Sequence, residues 1–225
     1  MDIHSELRDF SGLCRLFPLP NVVLFPHVIL PLHIFEPRYR QMTQDALDDD
    51  QLVTIVQARP RDQGNPWLEP VPIEDVGCVG RIIQHERLAD GRFNLLLLGC
   101  KRANLVREVA SPKLYRLAEA SILEDEEPVE AGESRSAELI ALFLRVLQLH
   151  HRLDPDLSRL LHSDLSAGVL SDVIAHALDL PAPLKQTLLE ERRVDRRVTL
   201  LFTILQELID QHPGSRRFPH PFSLN

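Results

Sequence analysis

From Leu13 to about Ile122 the apolar positions come in short runs, many of them β-branched, broken repeatedly by proline and glycine. Helical stripes recur every three to four residues, so this pattern predicts strands, in a β-rich region. The runs "CRLFPLP" and "VVLFPHVILPLHIF" are apolar at successive positions, which predicts strands buried on both faces. Pro18, Pro20, Pro26 and Pro31 each lack a backbone donor and are expected at strand ends, bulges or edges, favouring a small irregular barrel over a flat sheet.

Glu36 and Pro37 mark a helix start, because proline suits the first helical position and an acid favours the positive end of the helix dipole. Tyr39, Met42, Thr43, Ala46 and Leu47 then follow at i, i+3, i+4, i+7 and i+8, one stripe facing a core, and Asp48 to Asp50 end the helix. "QLVTIVQ" is the next strand and "RPRDQGNPWLEPVP" a loop. In "VGCVGRIIQHERLADGRFNLLLLGCKRANLVREV", Asp90-Gly91 supplies the positive φ of a tight hairpin turn between two long strand-like runs. A third strand is expected to end near Val109, and "LYRLAEASIL" is a fourth.

Beyond an acidic stretch, "EDEEPVEAGES", the period changes to 3.6. Leu139, Phe143, Val146, Leu147 and His150 share one helical face, and Val194, Val198, Leu201, Phe202, Leu205, Leu208 and Ile209 another. "SAGVLSDVIAHALDL" and "PLKQTLLEE" lie between them. The expected architecture is α+β: a β-rich part over residues 1–123, a linker over 124–134, a helical bundle over 135–211 and a tail over 212–225.

Composition narrows the function classes. The 225 residues carry a formal net charge of −8, spread evenly: 14 Lys+Arg against 18 Asp+Glu up to Asp125, and 11 against 15 beyond it. No basic half exists to attract nucleic acid. Cys14, Cys78 and Cys100 are too few and too scattered for a disulfide framework. The N-terminal "MDIHSELRDF" has charges where a signal peptide needs an apolar run, and no later run reaches the roughly 18 apolar residues of a membrane span. A cytoplasmic chain without a membrane segment is expected.

The usual catalytic signatures are missing. None of Lys101, Lys113 and Lys185 follows a glycine and precedes Ser or Thr, as a phosphate-binding loop requires. The cysteines stand 64 and 22 residues apart, unlike paired zinc ligands, and His150-His151, adjacent on a helix, point in different directions. No Gly-x-Ser-x-Gly elbow presents a serine. The expectation is a protein without enzymatic activity, cofactor or metal. Glu36, Arg38 and Arg40 then stand out, since arginine forks recognise carboxylates and carbonyls. Two readings stay open: a binding cluster, or a helix cap at Glu36 with arginines on the wet face. Arg38, Gln41 and Asp45 form the stripe opposite the packed one and join the candidate partner-binding residues, with Arg38 first.

The stretch "PLPNVVLFPHVILPLHIFEPRYRQM", with its spacing of Pro18, Pro20, Phe25-Pro26 and Pro31-Leu32, resembles the opening of the LON substrate-binding domain found at the N-terminus of Lon proteases. "VGCVGRIIQHERLADGRFNLLLLGCKRANL" is similar to that domain's second signature, with its Val-Gly, its Asp-Gly turn and its Gly-x-x-Arg, and "LDLPAPLKQTLLEERRVDRRVTLLFTIL" resembles the helical part that closes it. The likeness runs from about Leu13 to Gln211. It implies a PUA-like pseudobarrel followed by an α-helical bundle subdomain. Because Glu36 to Arg40 look more like free-standing bacterial members, and the ATPase and peptidase modules would begin where the chain ends, a stand-alone protein is expected. Of the family's activities only recognition of an unfolded polypeptide or protein partner carries over. The alternatives are RNA binding, by analogy with the barrel superfamily, and a hydrolase using a serine.

Overall fold

The computed structural model describes residue 7 and residues 10–59, 70–127, 133–151, 161 and 165–211. Six strands and five helices occur among them, the mixture expected. In chain order they are β1 (Leu13–Leu19), β2 (Ile29–Ile34), α1 (Pro37–Leu47), β3 (Leu52–Gln57), β4 (Val76–Arg87), β5 (Phe93–Val109), β6 (Arg116–Leu123), α2 (Glu133–Leu149), α3 (Ala167–Ala177), α4 (Ala182–Glu190) and α5 (Val194–Gln211). The tail over 212–225 and most of the loop before Val71 lie outside the described residues.

The strand order is β2-β5-β4-β3-β1-β6, and β6 also pairs with β5. That last pairing closes β5, β4, β3, β1 and β6 into a ring, with β2 added beside the first half of β5. Among the described strands only β1 and β3 run parallel. All five ring strands contribute to one apolar cluster of Cys14, Leu16, Leu52, Val56, Val79, Ala103 and Ala118. Its small members let the ring close tightly.

The prolines sit where a missing donor does least harm. Pro18 lies in the part of β1 that faces β3 but extends beyond the four residues paired with β6. Pro31 lies in β2, which among the described residues pairs only with β5.

Several expectations need correction. Val22 to Ile34 is not a strand buried on both faces: Val23, Leu24 and Phe25 are buried in a loop, and β2 starts at Ile29, which is 49% exposed. A sheet edge with one wet face needs only alternate positions buried. The third strand expected to end near Val109 is the second half of one 17-residue strand, Phe93–Val109. The strand bends instead of ending, with Cys100 as the extra residue opposite the Val79–Gly80 step. Gly99 is what the bend requires, since a Cβ there would run into the Phe25 carbonyl. The fourth predicted strand begins two residues late, at Arg116, because the Leu114 amide bonds a side chain and not a ladder.

By contacts the chain divides into two compact units, Met1–Glu126 with Asp172–Arg192, and Glu127–Ser171 with Arg193–Asn225. This differs from a division in sequence order, because part of the helical region joins the strands. A buried charge lies within the first unit. Arg102, on β5 and 2% exposed, donates Nη1 to Asp172 Oδ2 at 3.1 Å, Nη2 to Asp172 Oδ1, and Nε to the Leu189 carbonyl at 2.8 Å. Burial opposes the charge on Arg102, but Asp172 and then Asp125 hold its pKa above the ordinary arginine value. The acidic stretch is likewise tied down at its start: Glu124 takes Lys101 at 2.5 Å and Asp125 takes Arg102 at 3.2 Å.

In the second unit α2 and α5 pack together, and α2 buries Leu139, Phe143, Val146 and Leu147 while α5 buries Val194, Val198, Leu201, Leu205 and Ile209. His150 falls just past α2 and is exposed. Arg197, fully buried, donates Nε to Ser171 Oγ at 2.8 Å.

Removing one partner of a buried pair strands the other charge, at a typical cost of about 3–5 kcal/mol. Asp172→Ala is expected to lose that much in urea-monitored unfolding, while Asp195→Ala, at an exposed and solvent-screened pair with Arg193, leaves the unfolding midpoint nearly unchanged.

Candidate functional site

Helix α1 begins at Pro37, as its sequence requires, and buries Tyr39, Met42, Thr43 and Ala46. Glu36 stands at the N-cap position, yet its side chain makes no cap bond. Its carboxylate instead accepts Arg38 Nε at 3.0 Å. The Arg38 guanidinium lies 4.7 Å over the Tyr39 ring, and Tyr39 packs at 4.2 Å on Phe17. Arg38 thus bonds a carboxylate and lies over an aromatic face.

The predicted outward stripe of Arg38, Gln41 and Asp45 is half-buried and divides by role. Gln41 Oε1 accepts the Leu114 amide at 2.9 Å. Asp45 Oδ2 accepts the Tyr115 hydroxyl at 2.8 Å and pairs with Lys113 Nζ at 2.9 Å. These two residues therefore clamp the segment before β6 onto α1. Arg40 points elsewhere, against Gly91 of the hairpin turn, where φ is +79° and a side chain would collide with its guanidinium.

Between the clamped segment and the start of α1 is a cleft of about 320 Å³. Among the described residues its walls are Leu16, Pro18, Tyr39, Pro70, Leu114 and Tyr115, and its charged side chains are Arg38 and Arg116. Arg116 is held from outside, donating Nη1 to the Val71 carbonyl at 2.7 Å and Nε to Glu108 at 2.8 Å. Leu114, 63% exposed, is presented by the clamp. Arg38 thus belongs to the cleft, while Glu36 orients it and Gln41 and Asp45 support its far wall.

Leu114, Tyr115 and Arg116 are among the cleft residues that sequence reading missed. The signal lay in "SPKLYRL", where Ser-Pro breaks the chain just before an apolar pair, but strand periodicity absorbed it.

Two other cavities compete. One of about 430 Å³ lies beside Pro31, Leu32, Leu95 and Leu96, rimmed by His33, His85, Glu86 and Asn94. Arg92 Nη1 lies 3.3 Å from His33 Nε2, and His33 Nδ1 lies 2.7 Å from Asn94 Oδ1, so the rim is already bonded to itself. The other, of about 350 Å³, holds Asp45, Asp48, Asp49 and Asp50 with Arg15 and Lys113. There Arg15 joins Asp49 at 2.6 Å and Asp50 at 2.5 Å.

Among the described residues no group of three or more His, Cys, Asp or Glu is arranged to hold a metal ion. The three cysteines are buried thiols outside any disulfide, and burial pushes the Cys14 thiol up to about 11. No helix of the described residues is long and apolar enough to cross a membrane.

Comparison with known proteins gives a consistent result. The family model of the ATP-dependent protease La (LON) substrate-binding domain matches residues 14–207. Lon protease of Azospirillum brasilense is 27% identical over 84% of this chain and 23% of its own length. Lon protease 2 of Myxococcus xanthus is 28% identical over 88% of this chain and 24% of its own length. The chain thus spans about a quarter of the length of these curated relatives. Among solved structures, the N-terminal domain of Mycobacterium avium complex Lon protease aligns with a TM-score of 0.68 at 18% identity, covering 87% of this chain and 98% of that one. The Lon N-terminal domain protein of Xanthomonas campestris aligns at 0.63 with 23% identity, covering 85% and 97%. At such identities the structures speak for the fold.

The clamp has its own pH signature. Desolvation, and then the bond to Asp45, push the Tyr115 phenol up to about 12 from its usual 10. The folded state therefore holds this proton more tightly than the unfolded state. Its contribution to stability is complete below about pH 10 and is lost as pH rises towards 12. Tyr39→Phe leaves Tyr115 as the one tyrosine of the two in the chain. Ultraviolet titration of this variant is expected to give a midpoint near 12, falling towards the usual 10 when Asp45→Asn is added.

Proposed function

The chain belongs to the LON substrate-binding domain family, and on that premise we propose that it is a recognition module that holds exposed polypeptide segments in the cleft beside α1. It acts by binding, with no chemistry of its own. Proteolysis is the activity of the longer relatives named as proteases and is not carried to this chain.

The observation that carries the reading is the cleft's construction. Apolar and aromatic walls with a few placed polar groups are the usual make-up of a binding site, and here Arg38 is held in one orientation by Glu36 and Tyr39. Leu114 is exposed yet fixed through its own amide. A side chain held in place before binding loses little freedom on contact, so more of its interaction energy reaches the complex. The clamp residues Gln41 and Asp45 serve recognition indirectly, by holding that wall. Arg40 serves the hairpin turn.

Binding of a fluorescent, permanently unfolded polypeptide, followed by anisotropy, tests this. Arg38→Ala is expected to weaken binding by about 1–3 kcal/mol, the range for a lost charge-assisted hydrogen bond. Stability should fall by about 1 kcal/mol or less, through the lost contact over Tyr39. Met42→Ala should do the reverse, costing about 2–5 kcal/mol of stability at a side chain 1% exposed, with binding per folded molecule unchanged. If Arg38→Ala unfolds the protein and leaves binding per folded molecule intact, the arginine belongs to the fold alone.

A further inference from the structure

The chain holds three lysines, Lys101, Lys113 and Lys185, and one of them is placed differently from the others. Lys101 Nζ lies 2.5 Å from Glu124 Oε2, and Lys113 Nζ lies 2.9 Å from Asp45 Oδ2. A carboxylate at that distance favours the ammonium form, which has no lone pair to give. Lys185, on α4, instead donates Nζ to the His176 carbonyl at 2.8 Å, and among the described residues no carboxylate bonds it. That carbonyl belongs to the last turn of α3, where backbone oxygens lack a partner within the helix, and the lysine supplies one. Both residues lie in the first unit.

The surroundings of Lys185 favour its neutral form without hiding it. Lys185 is half-buried, and burial pushes its pKa below the ordinary lysine value, against the opposing charge of Asp179. His176 carries no charge at neutral pH, because burial and then the charge of Lys185 push its imidazole down to about 4. Pro181, Pro183, Leu184 and Thr187, on both sides of the lysine in sequence, are all exposed, so this part of α4 meets solvent. A lysine made more often neutral by desolvation is the nucleophilic kind.

We propose that Lys185 is the modification site of this chain, the lysine that takes an activated acyl group from a thioester or an acyl phosphate to become Nε-acyl-lysine. The neutral amine attacks the acyl carbonyl carbon and a C–N bond forms. The C–S or C–O bond to the leaving group breaks, the thiolate or phosphate departs with the electron pair, and the nitrogen gives up one proton to water. Nothing is oxidised or reduced. The amide nitrogen keeps one N–H, enough to go on bonding the His176 carbonyl, so the product retains the tie between α3 and α4 while losing a charge that burial opposes. At Lys101 and Lys113 the same reaction would break an ion pair.

The test exposes the intact, folded protein at neutral pH to acetyl phosphate in one series and to a small acetyl thioester in another, and follows each lysine by peptide mass spectrometry. Lys185 is expected to be acetylated severalfold faster than Lys101 or Lys113, and the preference is expected to vanish in concentrated guanidinium chloride, where the three side chains are equally open. Preference with both donors assigns the selectivity to the amine, and preference with one donor names the source of the acyl group. Glu124→Gln, at an exposed carboxylate, is expected to raise the rate at Lys101 and leave that at Lys185 unchanged. An unaltered rate at Lys101 in this variant would overturn the ion-pair argument on which the choice of lysine rests. Acetylation of Lys101 or Lys113 as fast as Lys185 in the folded protein would overturn the proposal. So would a preference for Lys185 that survives unfolding, because local sequence and not the fold would then choose the site.

Discussion

Strand β5 has to satisfy three neighbours, and the rest of the β-rich unit depends on how it does so. Its first half pairs with β2 and β4, its second with β4 and β6. One straight strand cannot serve both sets, so β5 bends where Gly99 passes the Phe25 carbonyl and Cys100 bulges from the ladder. The bend brings β5 onto β6 and closes the ring. Once β6 is placed, the residues just before it reach α1, and Tyr115 meets Asp45. The cleft is a downstream product of a backbone constraint far from it in sequence.

The same ring also explains how charge comes to be buried. Arg102 lies just past the bend and takes its bonds from Asp172 and the Leu189 carbonyl, both in the same unit. A guanidinium so deep is tolerable only because each bond replaces one lost from water. The partly exposed apolar residues have a related cause. Ile83 and Val106 are the extra residues at two further irregularities of the ladder, and a bulged residue leaves the regular alternation of inside and outside.

What could be read from the sequence was what short-range pattern encodes. The helix from Pro37, its buried Tyr39, Met42 and Ala46, and the turn at Asp90-Gly91 follow from local spacing and turn chemistry. The family was legible because its motifs are strings of neighbouring residues. Burial of β2 was over-read, since an apolar composition does not say whether a strand has neighbours on both faces. The stripe of Arg38, Gln41 and Asp45 was legible as a face, but its division into one cleft residue and two clamp residues was not. The partners Leu114 and Tyr115 lie 73 and 70 residues away, and nothing local announces such a pairing. The Gly-x-x-Arg at Gly99 to Arg102 was visible as a motif, while the burial of its arginine needed Asp172, 70 residues on.

The central claim is that the clamp organises a recognition surface between the start of α1 and the segment before β6. Hydrogen–deuterium exchange of the intact protein, with and without a saturating unfolded polypeptide, tests it most directly. The account predicts that ligand slows exchange in peptides covering residues 37–47 and 111–117, and leaves the hairpin between β4 and β5 unchanged. Protection confined to residues 29–34 and 81–96, around the larger cavity beside β2, would place recognition there and contradict the account.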